Sequence, residues 1–126
     1  MPLVRVSMRK GRTDHQKKVI LEQIYLAMRA TFDVPEDDRF MILSEHDEVD
    51  FVFGRSYLDI ERTDELVIIQ LTVNNTRTPE QKRALYAEIT RRLETEADLR
   101  PQDVFIGLIE TARENWSMGN GIAQYA

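Results

Sequence analysis

The sequence predicts an α+β fold in which two tandem β-α-β units form a four-stranded mixed sheet with two helices on one face. Three features indicate this: the chain matches itself at an offset of 65 residues, alternating apolar residues open each half, and an apolar helical stripe follows. The chain has 126 residues, 42% of them apolar and 31% charged, which is the size and composition of one domain. We therefore expect a single domain spanning 1–126, made of pseudo-repeats at about 1–61 and 66–126.

The self-match is the strongest organisational signal. Without any gap, 11 of the 61 overlapping positions are identical, whereas typical residue frequencies would give about four. The identical pairs include Arg12 with Arg77, Asp33 with Asp98, Asp38 with Asp103, and Gly54 with Gly119. Composition alone is a poor explanation for so many matches, so we interpret the chain as two copies of one unit.

Each unit opens with a strand that is buried on one side, because apolar residues occupy alternate positions. These residues are Val4, Val6 and Met8 in the first unit and Ile69, Leu71 and Val73 in the second. A helix start follows in both units, since Thr13 and Gln16, like Thr78 and Gln81, have capping-box spacing. Pro79 fits the first position of the second helix.

Both helices carry an apolar stripe of period four, which predicts one buried face each. The stripes are Ile20, Ile24, Met28 and Phe32, and Leu85, Ile89, Leu93 and Ala97. Pro35 and Pro101 end the connections, and the runs Phe40–Leu43 and Val104–Ile109 predict a second strand in each unit, parallel to the first. The segments Phe51–Gly54 and Trp116–Gly119 suggest tight hairpins.

Two helices on one face leave the other face of the sheet bare. Apolar residues on that face need another subunit to bury them, so we expect a homo-oligomer.

Composition excludes several function classes. A formal charge of −5 argues against non-specific nucleic-acid binding, and no apolar run approaches the roughly 18 residues of a membrane span. The N-terminus is too short and too charged for a signal peptide, so we expect a soluble cytoplasmic protein. The absence of cysteine excludes thiolate metal sites and cysteine nucleophiles.

Sites for metals and cofactors are also not indicated. His15 and His46 lie 31 positions apart in no metal-binding spacing, and Gly119–Gly121 lacks the strand-to-helix context of a dinucleotide fingerprint. The sequence contains no GxSxG nucleophile elbow. We therefore expect no metal site, and no nucleotide site of these kinds.

Pro2 is the residue with unusual potential chemistry. Removal of the initiator methionine, which is usual before a small residue, would leave a secondary amine at the terminus. In an apolar pocket the charged form is disfavoured, so the pKa of this amine would fall and the amine could act as a general base or a nucleophile. The alternative interpretation is an ordinary proline at the start of a strand.

Several motifs taken together resemble the tautomerase superfamily, whose members use an amino-terminal proline. They are Pro2, the GRTDHQK stretch (11–17), the duplicated unit and the tail ENWSMGNGIAQYA (114–126). The VPEDDR segment (34–39) and SEHD (44–47) are most similar to the malonate semialdehyde decarboxylase group, while the short 4-oxalocrotonate tautomerases correspond to one unit. The resemblance implies a homotrimer without a cofactor that acts on small enol or keto carboxylic acids.

The resemblance also implies site residues. Pro2 matches the catalytic proline, and Asp38 matches an aspartate that assists it. Arg12 matches a substrate-binding arginine of the short tautomerases, and Arg77 lies one position after the place of a substrate-binding arginine in the decarboxylase group. Asn75 lies in the same segment as Arg77, and Phe51 and Trp116 fall where the family has pocket aromatics.

Each assignment has a structural alternative. In this alternative the arginines are solvated loop charges, and Asp38 stabilises the loop before the strand, as Asp103 would in the second repeat. The aromatic residues then serve only in packing.

The reaction stays open between three alternatives. A neutral Pro2 acting as base predicts a keto-enol tautomerase, whereas a cationic Pro2 predicts decarboxylation of 3-oxo acids or hydration or dehalogenation of unsaturated acids. The decarboxylase pattern has two arginines before the second helix, and an ungapped alignment places Asn74 and Thr76 there instead, which favours the tautomerase. The third alternative is a non-catalytic binding protein on the same scaffold.

Overall fold

The computed structural model describes residues 2–126, and it has the predicted α+β architecture. In chain order the elements are β1 (Leu3–Arg9), α1 (Asp14–Phe32), β2 (Phe40–His46), β3 (Val67–Asn74), α2 (Pro79–Ala97) and β4 (Val104–Thr111). One-turn 3₁₀ helices follow β2 at Glu48–Asp50 and β4 at Arg113–Asn115. Both helices begin and end 65 residues apart, so their boundaries keep the offset seen in the sequence.

The helix boundaries follow from local chemistry. Both capping boxes are formed: the Thr13 hydroxyl accepts from the backbone N–H of Gln16, and Thr78 accepts in the same way from Gln81. Both helices end at an aspartate in the left-handed conformation, Asp33 in one and Asp98 in the other.

The four strands form one mixed sheet in the order β2-β1-β3-β4. Each repeat contributes a parallel pair, and the repeats join through antiparallel β1 and β3, with Val6 opposite Ile69. Because β1 and β3 are antiparallel, the last residues of β3 lie beside the first residues of β1. This relation decides which loops meet at each edge of the sheet.

One core lies between the sheet and the two helices, as the sequence predicted. The alternating residues of β1 and β3 and the apolar stripes of α1 and α2 form a single buried cluster, in which only Ala97 is partly exposed. Burying an aliphatic side chain in such a layer contributes roughly 1.5–3 kcal/mol. The core therefore holds the central strands, and with them both ends of the sheet, in fixed register.

Neither helix covers the second face of the sheet, and the loop residues Phe53 and Tyr57 lie near Phe105 at one end of it. Its exposed apolar side chains come from the two outer strands and are Phe40, Ile42, Phe105 and Ile109.

The expectation of tight hairpins was wrong. The segments Phe51–Gly54 and Trp116–Gly119 follow the two 3₁₀ turns, and within residues 2–126 they pair with no strand. The backbone changes direction within each 3₁₀ turn, so no β-hairpin forms at these positions.

Candidate active site

The loops that surround Pro2 come together at one edge of the sheet, which we call the proline end. It comprises the start of β1, the segment 35–39 before β2, the segment 74–78 after β3 and the segment 112–116 after β4. Leu3 pairs with Phe40 on one side and with Thr72 on the other, so Pro2 lies between the segment before β2 and the last residues of β3. Pro2 is buried.

A cleft of about 450 Å³ opens at the proline end. Both repeats supply its lining, since Asp33 and Asp38 come from the first and the other polar side chains come from the second. The lining residues that bear on its chemistry are Asp38, Asn74, Thr76, Arg77, Arg113 and Tyr125. Pro2 lies beside the cleft and is not part of its lining. With Asp33 and Gln81, which also line it, the cleft therefore combines two guanidinium groups, two carboxyl groups, two amides, one aliphatic hydroxyl and one phenol.

Asp38 lies on the loop that leads into β2. Burial raises the pKa of its carboxyl group, and nearby positive charge, including that of Arg77, offsets this only in part. A carboxyl group with a raised pKa beside a strand-terminal proline is suited to exchange protons or to orient an amine.

Arg77 is positioned by the first repeat. Its Nη2 donates to the carbonyl oxygen of Phe32 at 2.8 Å, and its guanidinium carbon lies 4.8 Å from the centre of the Phe32 ring. Nη1 donates to the Thr76 hydroxyl at 3.2 Å. Within residues 2–126, Arg77 forms no ion pair with a carboxylate. Its charge interacts electrostatically with Asp38 of the same cleft but is not held in a direct ion pair by the described residues.

Arg12, the repeat counterpart of Arg77, lies at the opposite edge of the sheet. There its Nη2 contacts Glu65 twice, at 2.7 Å from the carbonyl oxygen and 3.1 Å from the carboxylate. Arg9 likewise pairs with Asp64 at 2.8 Å. Two carboxylates of the chain itself therefore neutralise the arginines at this edge.

The antiparallel pairing of β1 and β3 explains the separation of the two arginines. The loop after β3 lies at the start of β1, whereas the loop after β1, which carries Arg12, lies at the start of β3. Within one chain, Arg12 and Pro2 do not share a cleft.

The predicted aromatic residues are also divided between the two edges. Phe51 is buried at the edge of Arg12, where it stacks on His46 with ring centres 5.9 Å apart and accepts a hydrogen bond from Arg9 through its carbonyl oxygen. Trp116 follows the turn after β4 and so lies at the proline end. Its buried indole N–H has no hydrogen-bond partner among residues 2–126.

Of the two neighbouring asparagines, the structure places Asn74 rather than Asn75 in the cleft. Asn75 is exposed, and its backbone N–H donates to the Thr111 carbonyl oxygen at 3.0 Å. Asn74 is only 8% exposed and lines the cleft. Strand alternation does not separate them, because β3 ends at Asn74 and Asn75 lies in the turn that follows.

Arg113 and Tyr125 are the other lining residues that the sequence did not indicate. Arg113 forms no ion pair or side-chain hydrogen bond with residues 2–126. Its repeat counterpart is Glu48, so the self-match offered no hint of a functional arginine. Tyr125 reaches the cleft because the tail folds back, with Gln124 bonded to the backbone of Met118 and Gly119.

The described residues bring no three histidine, aspartate or glutamate side chains together in a group that could hold a metal ion. Neither helix of the described chain has the length and apolar character needed to cross a bilayer.

Comparison with known proteins identifies relatives along the whole chain. Two family models, both described as tautomerase enzyme, match residues 38–119 and 2–59. Probable tautomerase YusQ of Bacillus subtilis (strain 168) is 40% identical over 124 residues, which are 98% of each chain.

Solved structures give a consistent picture. Malonate semialdehyde decarboxylase, whose structure is described as a basis for decarboxylase and hydratase activities, superposes with a TM-score of 0.92 at 32% identity and covers 98% of this chain and 95% of its own. A fused 4-OT in a symmetric trimer superposes with a TM-score of 0.80 at 19% identity, covers 98% and 97%, and supports the fold alone.

Proposed function

The chain belongs to the tautomerase superfamily, and on this premise we propose that it is a cofactor-free tautomerase that interconverts small enol and keto carboxylic acids with Pro2 as general base. The observation that carries the proposal is the contrast between the two arginines. Arg12 is neutralised by Glu65, whereas Arg77 lies in a cleft beside Pro2 with no carboxylate bound to it by the described chain. A substrate carboxylate is the partner that this arginine lacks.

Pro2 acts in this proposal after the initiator methionine has been removed. Burial disfavours the protonated amine, so a buried terminal proline is a usable base near neutral pH. The amine nitrogen takes the proton of the enol O–H group, the C–O bond becomes a carbonyl, and the electron pair of the C=C bond takes the proton back at carbon. No atom or electron is gained or lost overall.

Arg77 and Asp38 have separate roles. A guanidinium group binds a carboxylate through two parallel N–H bonds, and the contacts with Phe32 fix its plane. Asp38, at the segment beside Pro2, orients the amine or a water molecule and exchanges protons with it.

The second candidate reaction is decarboxylation or hydration of the substrate. The 0.92 TM-score to malonate semialdehyde decarboxylase favours decarboxylation or hydration by a cationic Pro2 as the alternative. Against it stands the neutral Asn74, which occupies one of the two positions where the decarboxylase pattern has an arginine to hold and polarise a malonate-like acid.

We also propose that the protein is a homo-oligomer, most simply a trimer. The uncovered sheet face presents four large apolar residues between 43% and 53% exposed, Phe40, Ile42, Phe105 and Ile109. A second and third copy would cover them, and the fused 4-OT with the same fold is a symmetric trimer.

The deciding experiment measures ketonisation of an arylenolpyruvate by the protein and by Pro2→Ala, together with the intact mass of each chain. Tautomerase function predicts loss of the methionine and a fall in kcat/KM of at least about 100-fold in Pro2→Ala. Unchanged activity in Pro2→Ala would exclude proline catalysis. A retained methionine and no turnover would favour a binding protein, and carbon dioxide release from a 3-oxo acid would favour the decarboxylase.

A further inference from the structure

The side-chain oxygen of Asn74 is a buried hydrogen-bond acceptor in the wall of the cleft, and no described residue donates to it. Asn74 is the last residue of β3 and is 8% exposed, and its side-chain Oδ1 has no hydrogen-bond partner among residues 2–126. An unsatisfied buried acceptor costs about 1–3 kcal/mol, so such groups in folded proteins are rare unless a ligand or water completes them.

Asn74 is held more rigidly than the loop residues around it. It is paired in register with Thr111 of β4, so the sheet fixes its backbone. Its neighbour in the cleft, Arg77, is already bonded to Phe32 and Thr76. The described protein therefore offers the amide no internal donor, and the fixed backbone keeps it at the wall of the cleft.

The repeat counterpart of Asn74 is Arg9, which pairs with Asp64 at 2.8 Å. The same strand position therefore carries a cation at one edge of the sheet and a neutral amide at the other. A neutral amide binds a carboxylate far less strongly than a guanidinium does. It suits an oxygen that changes between donor and acceptor, because one end of an amide accepts and the other donates.

We propose that Asn74 binds the reacting oxygen of the substrate, the oxygen that is a hydroxyl in the enol and a carbonyl in the ketone. This inference rests on the proposed tautomerase function. In the bound enol, Oδ1 accepts from the hydroxyl before the hydroxyl turns its proton to Pro2. After rotation of the amide, its N–H group donates to the same oxygen as negative charge develops on it and it becomes a carbonyl. Arg77 holds the carboxylate in the same complex, so the two residues divide the two polar ends of the substrate.

The test compares kcat and KM for arylenolpyruvate ketonisation in Asn74→Leu and Asn74→Asp with those of Asn75→Leu. Leucine matches the size of asparagine without hydrogen bonding, and aspartate cannot donate when it is ionised. We expect kcat to fall about 100-fold in Asn74→Leu and further in Asn74→Asp at pH 7, with KM for Asn74→Leu within about twofold of the original. The exposed neighbour Asn75 should tolerate leucine without loss of kcat.

Stability provides a second readout that a purely structural role would not produce. Leucine removes a buried acceptor that lacks a partner, so Asn74→Leu should melt at the same or a higher temperature while it loses activity. If Asn74→Leu fails to fold, the isosteric Asn74→Asp carries the kinetic comparison.

Three results would overturn this role. An unchanged kcat in Asn74→Leu, with Pro2→Ala inactive, would remove Asn74 from the reaction and leave the proposed function intact. A rise in KM with unchanged kcat would assign Asn74 to ground-state binding instead. Equal activity of Pro2→Ala and the original protein would reject the tautomerase function itself, and the role of Asn74 with it.

Discussion

Arg77, before α2, donates a hydrogen bond of 2.8 Å to the carbonyl oxygen of Phe32, the last residue of α1, and its guanidinium group lies 4.8 Å from the Phe32 ring centre. The contact joins the two repeats, because α1 belongs to the first and Arg77 to the second. It also occupies one of the last carbonyl groups of α1, which have no partner inside the helix. The C-terminus of one helix thus positions the cation that precedes the other.

The two equivalent arginines should differ in their effect on catalysis. Arg77→Leu should lower kcat/KM about 10- to 100-fold, the loss expected for a charge-assisted hydrogen bond to a carboxylate, while Arg12→Leu serves as the matched control. Steady-state kinetics on an arylenolpyruvate measures both. Equal losses in the two variants would mean that Arg12 of a neighbouring subunit also reaches the cleft.

Arg113 should contribute to substrate capture more than to turnover. It lines the cleft and is exposed, without an ion pair in the described chain, so its charge attracts anions to the cleft entrance. We expect Arg113→Gln to raise KM about three- to tenfold, to leave kcat unchanged, and to weaken the salt dependence of kcat/KM. A fall in kcat without a change in KM would contradict this assignment.

Asp38 and Asp103 occupy equivalent positions but should respond differently to substitution. Asp103 is fully buried and accepts hydrogen bonds from the backbone N–H of Thr63 at 2.8 Å and from its hydroxyl at 2.6 Å. Asp103→Ala should therefore lower the free energy of unfolding by about 2 kcal/mol or more. Asp38→Asn should reduce turnover with little loss of stability, and urea denaturation with parallel kinetics distinguishes the two effects.

The raised pKa of Asp38 predicts a pH dependence of stability. The folded protein holds the proton more tightly than the unfolded chain, so ionisation of Asp38 costs folding free energy. This loss of folding free energy is absent at pH values below the usual carboxyl pKa, near pH 4. It is complete at pH values above the pKa that Asp38 has in the folded protein. Asp38→Asn should gain stability relative to the original protein as the pH rises through this window. A difference between their urea midpoints that is constant from pH 4 to pH 8 would refute the prediction.

The uncovered sheet face gives a test of assembly. Ile109→Lys places a charge where the proposed interface is apolar and should dissociate the oligomer to a monomer in light scattering or sedimentation. Glu94→Lys, on the exposed side of α2, is the control and should keep the original mass. An original protein that is already monomeric would reject the proposed assembly.

Most of the fold was predictable because its signals are local. Thr13 and Thr78 start their helices through side chains three residues away, and the apolar stripe from Ile20 to Phe32 has the period of one helix face. The site was less predictable, because its residues come from four separate loops. Arg113 and Asn74 line the same cleft because β3 and β4 are paired in parallel. Their separation along the sequence does not indicate that they share a site.

The sequence by itself determined the two repeats, through its match to itself at an offset of 65. It also determined the helix boundaries, the buried face of each strand and the proline at the start of the first strand, since each of these depends on residues within a few positions of one another. Only the tertiary structure decided that Arg77 rather than Arg12 lies beside Pro2 within one chain, and that Asn74 rather than Asn75 faces the cleft. The physical reason is the antiparallel pairing of β1 and β3, which inverts one repeat relative to the other. The loops that follow β3 and β4 in the second repeat therefore lie beside the start of β1 in the first repeat.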